Sequence, residues 1–231
     1  MDKRNLLAAG IVAAVWASAT FAGQATITDA SVPYLNGTDG TGGAFTVTTV
    51  VPYNGEHGGP GGSVNSFSSF CIERNEYLSF GSTYFTDITT GAVNGGIAGG
   101  NPDPLDSATA LLYRTFRDSG LINGTLIDDS SKVTSLQHAM WYIEQEMALG
   151  DLNAVALGFA TWAQSNAVAG NLYGVRVLNL YTEYNAQTGA FSGNSQDLLT
   201  IVPLPNAAWM GMGLLASAAG VSYLRRRSSL A

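Results

Sequence analysis

An apolar run from Ala207 to Leu224 contains no charged residue and is followed at once by Arg225, Arg226 and Arg227. As a helix it would span about 27 Å at 1.5 Å per residue, enough to cross a thin hydrocarbon core. Gly211, Gly213 and Gly220 fall inside it, and glycine weakens a soluble helix but is ordinary in a membrane-spanning one. Basic flanks stay on the cytoplasmic side, so the arginines predict that everything before Val202 lies outside the inner membrane. A buried C-terminal core helix is the alternative, and three arginines directly behind the run argue against it. The other end agrees. Lys3 and Arg4 precede an apolar stretch from Leu6 to Trp16, and Ala17-Ser18-Ala19 and Thr20-Phe21-Ala22 offer small-residue cleavage sites. Residues 1–22 are therefore expected to be a secretory signal peptide.

Immediately before the C-terminal run stands Val202-Pro203-Leu204-Pro205. A Pro-containing motif, one apolar span and a basic tail, in that order over residues 202–227, resemble the PEP-CTERM protein-sorting signal of Gram-negative bacteria. The family's usual motif reads Val-Pro-Glu-Pro, and Leu204 stands where the Glu would be. The resemblance implies an exosortase-type processing enzyme as a partner and a transmembrane helix over 207–224 that holds the chain, transiently or permanently, in the inner membrane. It also implies export across that membrane, ending membrane-anchored, at the cell surface or outside the cell. It implies no activity.

Between Gly23 and Val202 there are 16 acids and 5 bases, a net charge of −11. Such a body repels phosphate backbones, which excludes nucleic acid as a natural partner. Hydrophobic residues make up 46% of the chain, too many for a disordered one. About 180 residues remain between the targeting segments, enough for one substantial core.

Residues 24–90 carry strand patterns: β-branched Phe45 to Val51, alternating Ser66 to Ile72, and a hairpin expected over Tyr77 to Ile88 about Gly81-Ser82. The glycine-rich loops 36–43 and 55–62 lack the Gly-Lys-Ser/Thr ending of a phosphate loop and the spaced acids of a calcium loop. Leu105, Ala108, Leu112 and Phe116 recur at helical spacing, with Gly120 just past the end. Ser130 or Ser131 is expected to cap a second helix running to about Leu149, with Val133, Leu136, Met140, Ile143 and Met147 on its apolar face and Gln137 among them. A third helix is expected from Asn153 to Ala167, before strands at Tyr173 to Tyr181 and Asp197 to Val202. The fold expected over 23–201 is mainly β with an α-helical insert over about 104–168 (α+β), a β-sandwich-like domain between the signal peptide and the C-terminal helix.

Cys71 is the only cysteine. A lone thiol in an exported protein is buried and inert, pairs between chains, or reacts. Its commonest fate is that of a small buried hydrophobe. Phe70-Cys71-Ile72, with Leu136-Gln137-His138-Ala139-Met140-Trp141 downstream, resembles the thioester domains of bacterial surface adhesins. There an aromatic-Cys-aliphatic strand faces a helix bearing Gln-X-Ala-aliphatic-Trp. The resemblance, over about residues 66–147, implies that Cys71 and Gln137 condense into an internal thioester for covalent attachment to a surface amine. Such a bond needs near-attack contact and exclusion of water. Phe70, Ile72, Met140 and Trp141 are the candidates for shielding, and Glu73 or His138 for moving protons.

Two other functions compete. A hydrolase or metal site is poorly supplied, because His57 and His138 are the only histidines and Glu144 and Glu146, two apart on a helix, would lie on different faces. No turnover catalysis, metal or cofactor is expected. A non-covalent carbohydrate- or exopolysaccharide-binding module with an inert Cys71 is the stronger rival, with Tyr34, Tyr53, Tyr77, Tyr84 and Trp162 available to stack on sugars. Such aromatics more often serve packing.

Overall fold

The computed structural model describes residues 23–29, 42–49 and 66–202. The signal peptide expected over 1–22, Tyr34, Tyr53, His57, Pro203 to Pro205, the apolar run 207–224 and Arg225 to Arg227 lie outside the described residues. No helix among the described residues is long and apolar enough to cross a membrane.

Among the described residues the chain is mainly β with three α-helices. Four strands come first: β1 (Gly23–Asp29), β2 (Phe45–Thr49), β3 (Ser66–Ser69) and β4 (Thr83–Thr89), followed by the short pair β5 (Gly91–Ala92) and β6 (Asp103–Pro104). The helical region holds α1 (Ser107–Ser119), the ribbon β7 (Leu121–Ile122) and β8 (Thr125–Leu126), then α2 (Ser130–Ile143) and α3 (Ala154–Asn166). The chain returns to strand as β9 (Val175–Asn185), β10 (Ala190–Asn194) and β11 (Leu198–Ile201).

The expected sandwich is corrected here. Among the described residues, in place of two stacked sheets, one seven-stranded antiparallel sheet runs β10-β9-β4-β1-β2-β3, with β11 also paired to β9. The reason is the length of β9. Its residues 177–181 pair with β4, which leaves the opposite edge to take β11 along 175–178 and β10 along 181–185. β11 thereby reaches back to the segment just after β3. Cys71 bridges Leu198, Ile72 N–H donates to Asp197 O at 3.1 Å, and Leu199 N–H donates to Phe70 O at 3.1 Å. The sheet closes on itself at Cys71.

Strand alternation sorts the side chains into two cores. Ala25, Ile27, Val47, Phe67, Cys71, Leu178, Leu180 and Leu198 form one, joined by Trp141 from α2. Phe70, Ile72, Val175, Val177 and Leu199 point the other way and pack with the helices. Phe70 meets Phe116 and Tyr113 of α1 edge-on, with ring centroids 5.3 and 6.5 Å away. One strand segment thus carries adjacent residues into both cores, which positions Cys71 between the sheet and the helices.

Local signals set the helix ends. Asp106 accepts from Ala108 N–H at 2.6 Å at the start of α1, and Gly120 ends it at φ 70°, where glycine has no steric cost. Asn153 caps α3 through Ala156 N–H and also donates to Ser135 Oγ at 2.9 Å, tying α3 to α2. For α2 the cap is Asp129, which accepts from Lys132 N–H at 2.8 Å, not Ser130 or Ser131. That helix also ends six residues earlier than expected, at Ile143 instead of Leu149. Glu144 and Glu146 are turned inward to accept backbone hydrogen bonds, and Gln145 adopts φ 65°, so the helical path is abandoned. The hairpin expected over Tyr77 to Ile88 is absent. Only Thr83–Thr89 is strand, paired with β1 and β9, while Gly81 N–H donates to Ile27 O and Tyr77 O accepts from Ser195 Oγ and Gln196 N–H.

Candidate functional site

Cys71 and Gln137, 66 positions apart in sequence, meet. Cys71 N–H donates to Gln137 Oε1 at 3.0 Å, and Gln137 Nε2 donates to Cys71 O at 2.9 Å. The topology explains why those backbone groups are free to do so. In the Cys71–Leu198 bridge the hydrogen bonds toward β11 come from residues 70 and 72, so the N–H and C=O of Cys71 point to the other side. On that side the carboxamide of Gln137 satisfies both groups as a neighbouring peptide would. Gln137 is fully buried and Cys71 is 3% exposed.

Gly42 and Trp141 enclose the amide. A Cβ at Gly42 would lie 2.6 Å from Gln137 Cγ, 2.9 Å from its Cδ and 2.7 Å from Trp141 Cη2. Gly42 has φ +68°, so both its conformation and its clearance call for glycine. Trp141 lies one helical turn beyond Gln137, and its indole N–H is buried without a hydrogen-bond partner among the described residues. Phe70 and Ile72 are buried on either side of Cys71 but face the helical core, so they support the strand and leave the cover of the amide to Gly42 and Trp141.

Burial pushes the Cys71 thiol well above its ordinary range, with Glu76 and Glu73 adding to the effect. The sulfur is therefore a neutral thiol, shut away from dissolved reagents, with a carboxamide docked on its own residue. His138 is half-buried and stacks on Trp141 at 5.8 Å between centroids. Burial, helped by Arg74, lowers its basicity. Glu73 is buried with neither carboxyl oxygen hydrogen-bonded among the described residues, and burial together with Glu146, Asp103, Glu76 and Glu144 pushes it up to about 9. Val202, the first residue of the expected sorting motif, donates its N–H to Gly174 O at 2.9 Å, directly beyond β11.

The residues that sequence reading did not single out are Gly42 and Asp197, and Glu146 was weighed there only as half of a carboxylate pair on different helix faces. Gly42 sits in a run of glycines that gives no sign of which one approaches a side chain. Glu146 accepts backbone N–H groups of Arg74, Ile97 and Ala98, and Asp197 accepts that of Val93. Their signal is an acid close to an apolar run, which a solvated face shows equally well. Among the described residues no three His, Cys, Asp or Glu side chains group so as to hold a metal. No protein-family model, curated protein or solved structure matches the chain.

Proposed function

We propose that the chain is an exported structural or adhesion protein of the cell surface or extracellular matrix, sorted through its C-terminal signal, whose Cys71 and Gln137 form an internal thioester for covalent attachment. The observation that carries this reading is the docking of the Gln137 carboxamide on Cys71 inside a closed, fully buried site. A thiol and an amide do not react in water at useful rates, so holding them together and dry is the fold's contribution.

In the condensation Cys71 Sγ bonds to Gln137 Cδ, the Cδ–Nε2 bond breaks, and the thiol proton leaves with the nitrogen as ammonia. An amine of the target surface then adds to Cδ and expels the Cys71 thiolate, which takes up the proton the amine loses. The product is an amide between Gln137 and the target, with a free thiol restored. Retention of Gln137 Oε1 within reach of Cys71 N–H through both steps supplies a donor to the carbonyl oxygen as it gains charge. The sorting motif, the span 207–224 and Arg225 to Arg227 account for delivery, through an exosortase-type enzyme at the inner membrane.

Intact-mass measurement of the folded, unreduced protein tests the chemistry. The mass is expected to be one ammonia below that calculated from the sequence, and methylamine is expected to add at Gln137 while releasing one titratable thiol. A full calculated mass with a titratable thiol from the outset would refute the thioester.

A further inference from the structure

The glycine-rich loop between β5 and β6, residues 93–102, is held by acids from three other segments. Ile97 and Ala98 N–H donate to Glu146 Oε1 at 2.6 and 3.0 Å, Val93 N–H to Asp197 Oδ2 at 2.7 Å, and Asn94 Nδ2 to Glu76 Oε1 at 3.2 Å. Glu144 accepts from Asp106 N–H at 3.2 Å, and Asp103 accepts from Gly100 N–H. Each of these acids has a backbone or amide donor. Glu73 has none: it is fully buried, and neither of its carboxyl oxygens has a hydrogen-bond partner among the described residues.

Glu73 points at Glu146. A Cβ on Gly96 would collide with Glu73 Oε2 and Glu146 Oε2 together, so the two oxygens flank one point beside that glycine. Glu146 is buried too, and its Oε2 accepts Arg74 N–H at 3.0 Å, which leaves a lone pair free. Glu146, Asp103, Glu76 and Glu144 all bear electrostatically on Glu73. None of them pairs with a base among the described residues, and Arg74, the basic residue next in sequence, is exposed. Two buried carboxyl groups set against each other need positive charge between them. A proton on Glu73 would serve one of its oxygens and leave the other bare. A divalent cation would serve both and offset the acids around them.

We propose that Glu73 and Glu146 hold a calcium ion beside Gly96, tying together the segment after Cys71, the segment after α2 and the 93–102 loop. The donor set points to calcium. Both contributing side chains are carboxylates, which suit hard cations over zinc or copper. Magnesium demands near-ideal octahedral geometry and keeps several waters. Calcium takes about six to eight oxygens in flexible geometry at about 2.3–2.6 Å, with backbone carbonyls and water completing the shell. Two ligating side chains therefore suffice where no three group together among the described residues. Any proton that Glu73 carries in the calcium-free chain passes to water as the ion binds. The site goes beyond the proposed thioester and stands whether or not that bond forms.

Calorimetric titration of calcium chloride into the folded protein, freed of metal by chelation and held at constant ionic strength, tests the site. One ion is expected to bind per chain, with a Kd no weaker than about 1 mM, the weak end for extracellular calcium modules. At a hundred times Kd the unfolding equilibrium constant should fall about 100-fold. Amide exchange should slow most at Arg74, Ile97 and Ala98, whose N–H groups donate to Glu146. Glu73→Gln, which keeps the shape of the side chain and removes its charge, should weaken calcium binding at least tenfold. No binding by the wild type up to about 10 mM, ten times that limit, would overturn the proposal and leave a proton as the occupant. A Glu73→Gln protein that binds as tightly as the wild type, or calcium that leaves the three amides unchanged, would reduce the ion to an adventitious one and overturn it too. Equal affinity for magnesium chloride would overturn the choice of calcium. Should Glu73→Gln fail to fold, the wild-type titration and the amide map decide between these outcomes.

Discussion

Truncation of Gln137 to alanine, made in a Cys71→Ala background, measures how firmly the amide is docked without interference from any thioester. Cys71→Ala removes only the sulfur and leaves the backbone of residue 71 in place, so both hydrogen bonds to Gln137 persist. Adding Gln137→Ala then leaves one buried N–H and one buried C=O without partners, in a site closed by Gly42 and Trp141. Each orphaned group costs about 1–3 kcal/mol, so the second substitution should cost about 2–6 kcal/mol beyond the first. For a domain of this size about 2–4 °C of melting temperature is lost per kcal/mol, which gives a fall of roughly 5–20 °C. Urea unfolding followed by tryptophan fluorescence reads the difference directly, at unchanged slope if the unfolded state is unaffected. A second substitution that shifts stability by less than about 1 kcal/mol would show that the carboxamide does not satisfy the Cys71 backbone, and the argument for near-attack contact would go with it.

Gly42→Ala should destabilise by about 2–5 kcal/mol, combining a non-glycine residue at φ +68° with overpacking against Gln137 and Trp141; a melting temperature equal to the wild type's would contradict the enclosure described. Stability should also decline as pH rises. Glu144 and Asp197 are each pushed up to about 8, and Glu73 to about 9, chiefly by burial. From about pH 4.5 upward the unfolded chain has released protons that the folded one still holds. Unfolding is therefore favoured progressively up to roughly pH 9, by up to about 1.4 kcal/mol per unit for each group. Thermal melts at pH 5 and pH 9 check the sign, and a higher melting temperature at pH 9 would refute it.

Much of the helical region was legible because its signals are local. The spacing from Leu105 to Phe116, Gly120 behind it and Asn153 before α3 each mark their element within a few residues. The juxtaposition of Cys71 with Gln137 came from two short motifs, and the structure brings those residues together. What the sequence hid was long-range. Nothing near β9 announces that its far edge will take β10 and β11 in succession, so a closed sheet reads like a sandwich. The early end of α2 was hidden for the same reason, since Glu144 and Glu146 leave the helix to grip backbone from distant segments. A periodicity argument sees only acids at unremarkable positions. Gly42 was invisible within its glycine run until the side chains it accommodates were in place.

The place where the rolled sheet meets itself is also the place where the helical layer is pinned to it. A covalent link from residue 71 to residue 137 would therefore act as a rivet through both layers, closing a 66-residue stretch of chain. By the loop-entropy relation for cross-links such a rivet is worth about 4 kcal/mol. An attachment protein built this way would be toughest under load before it reacts, and would soften once its bond had been handed to a target.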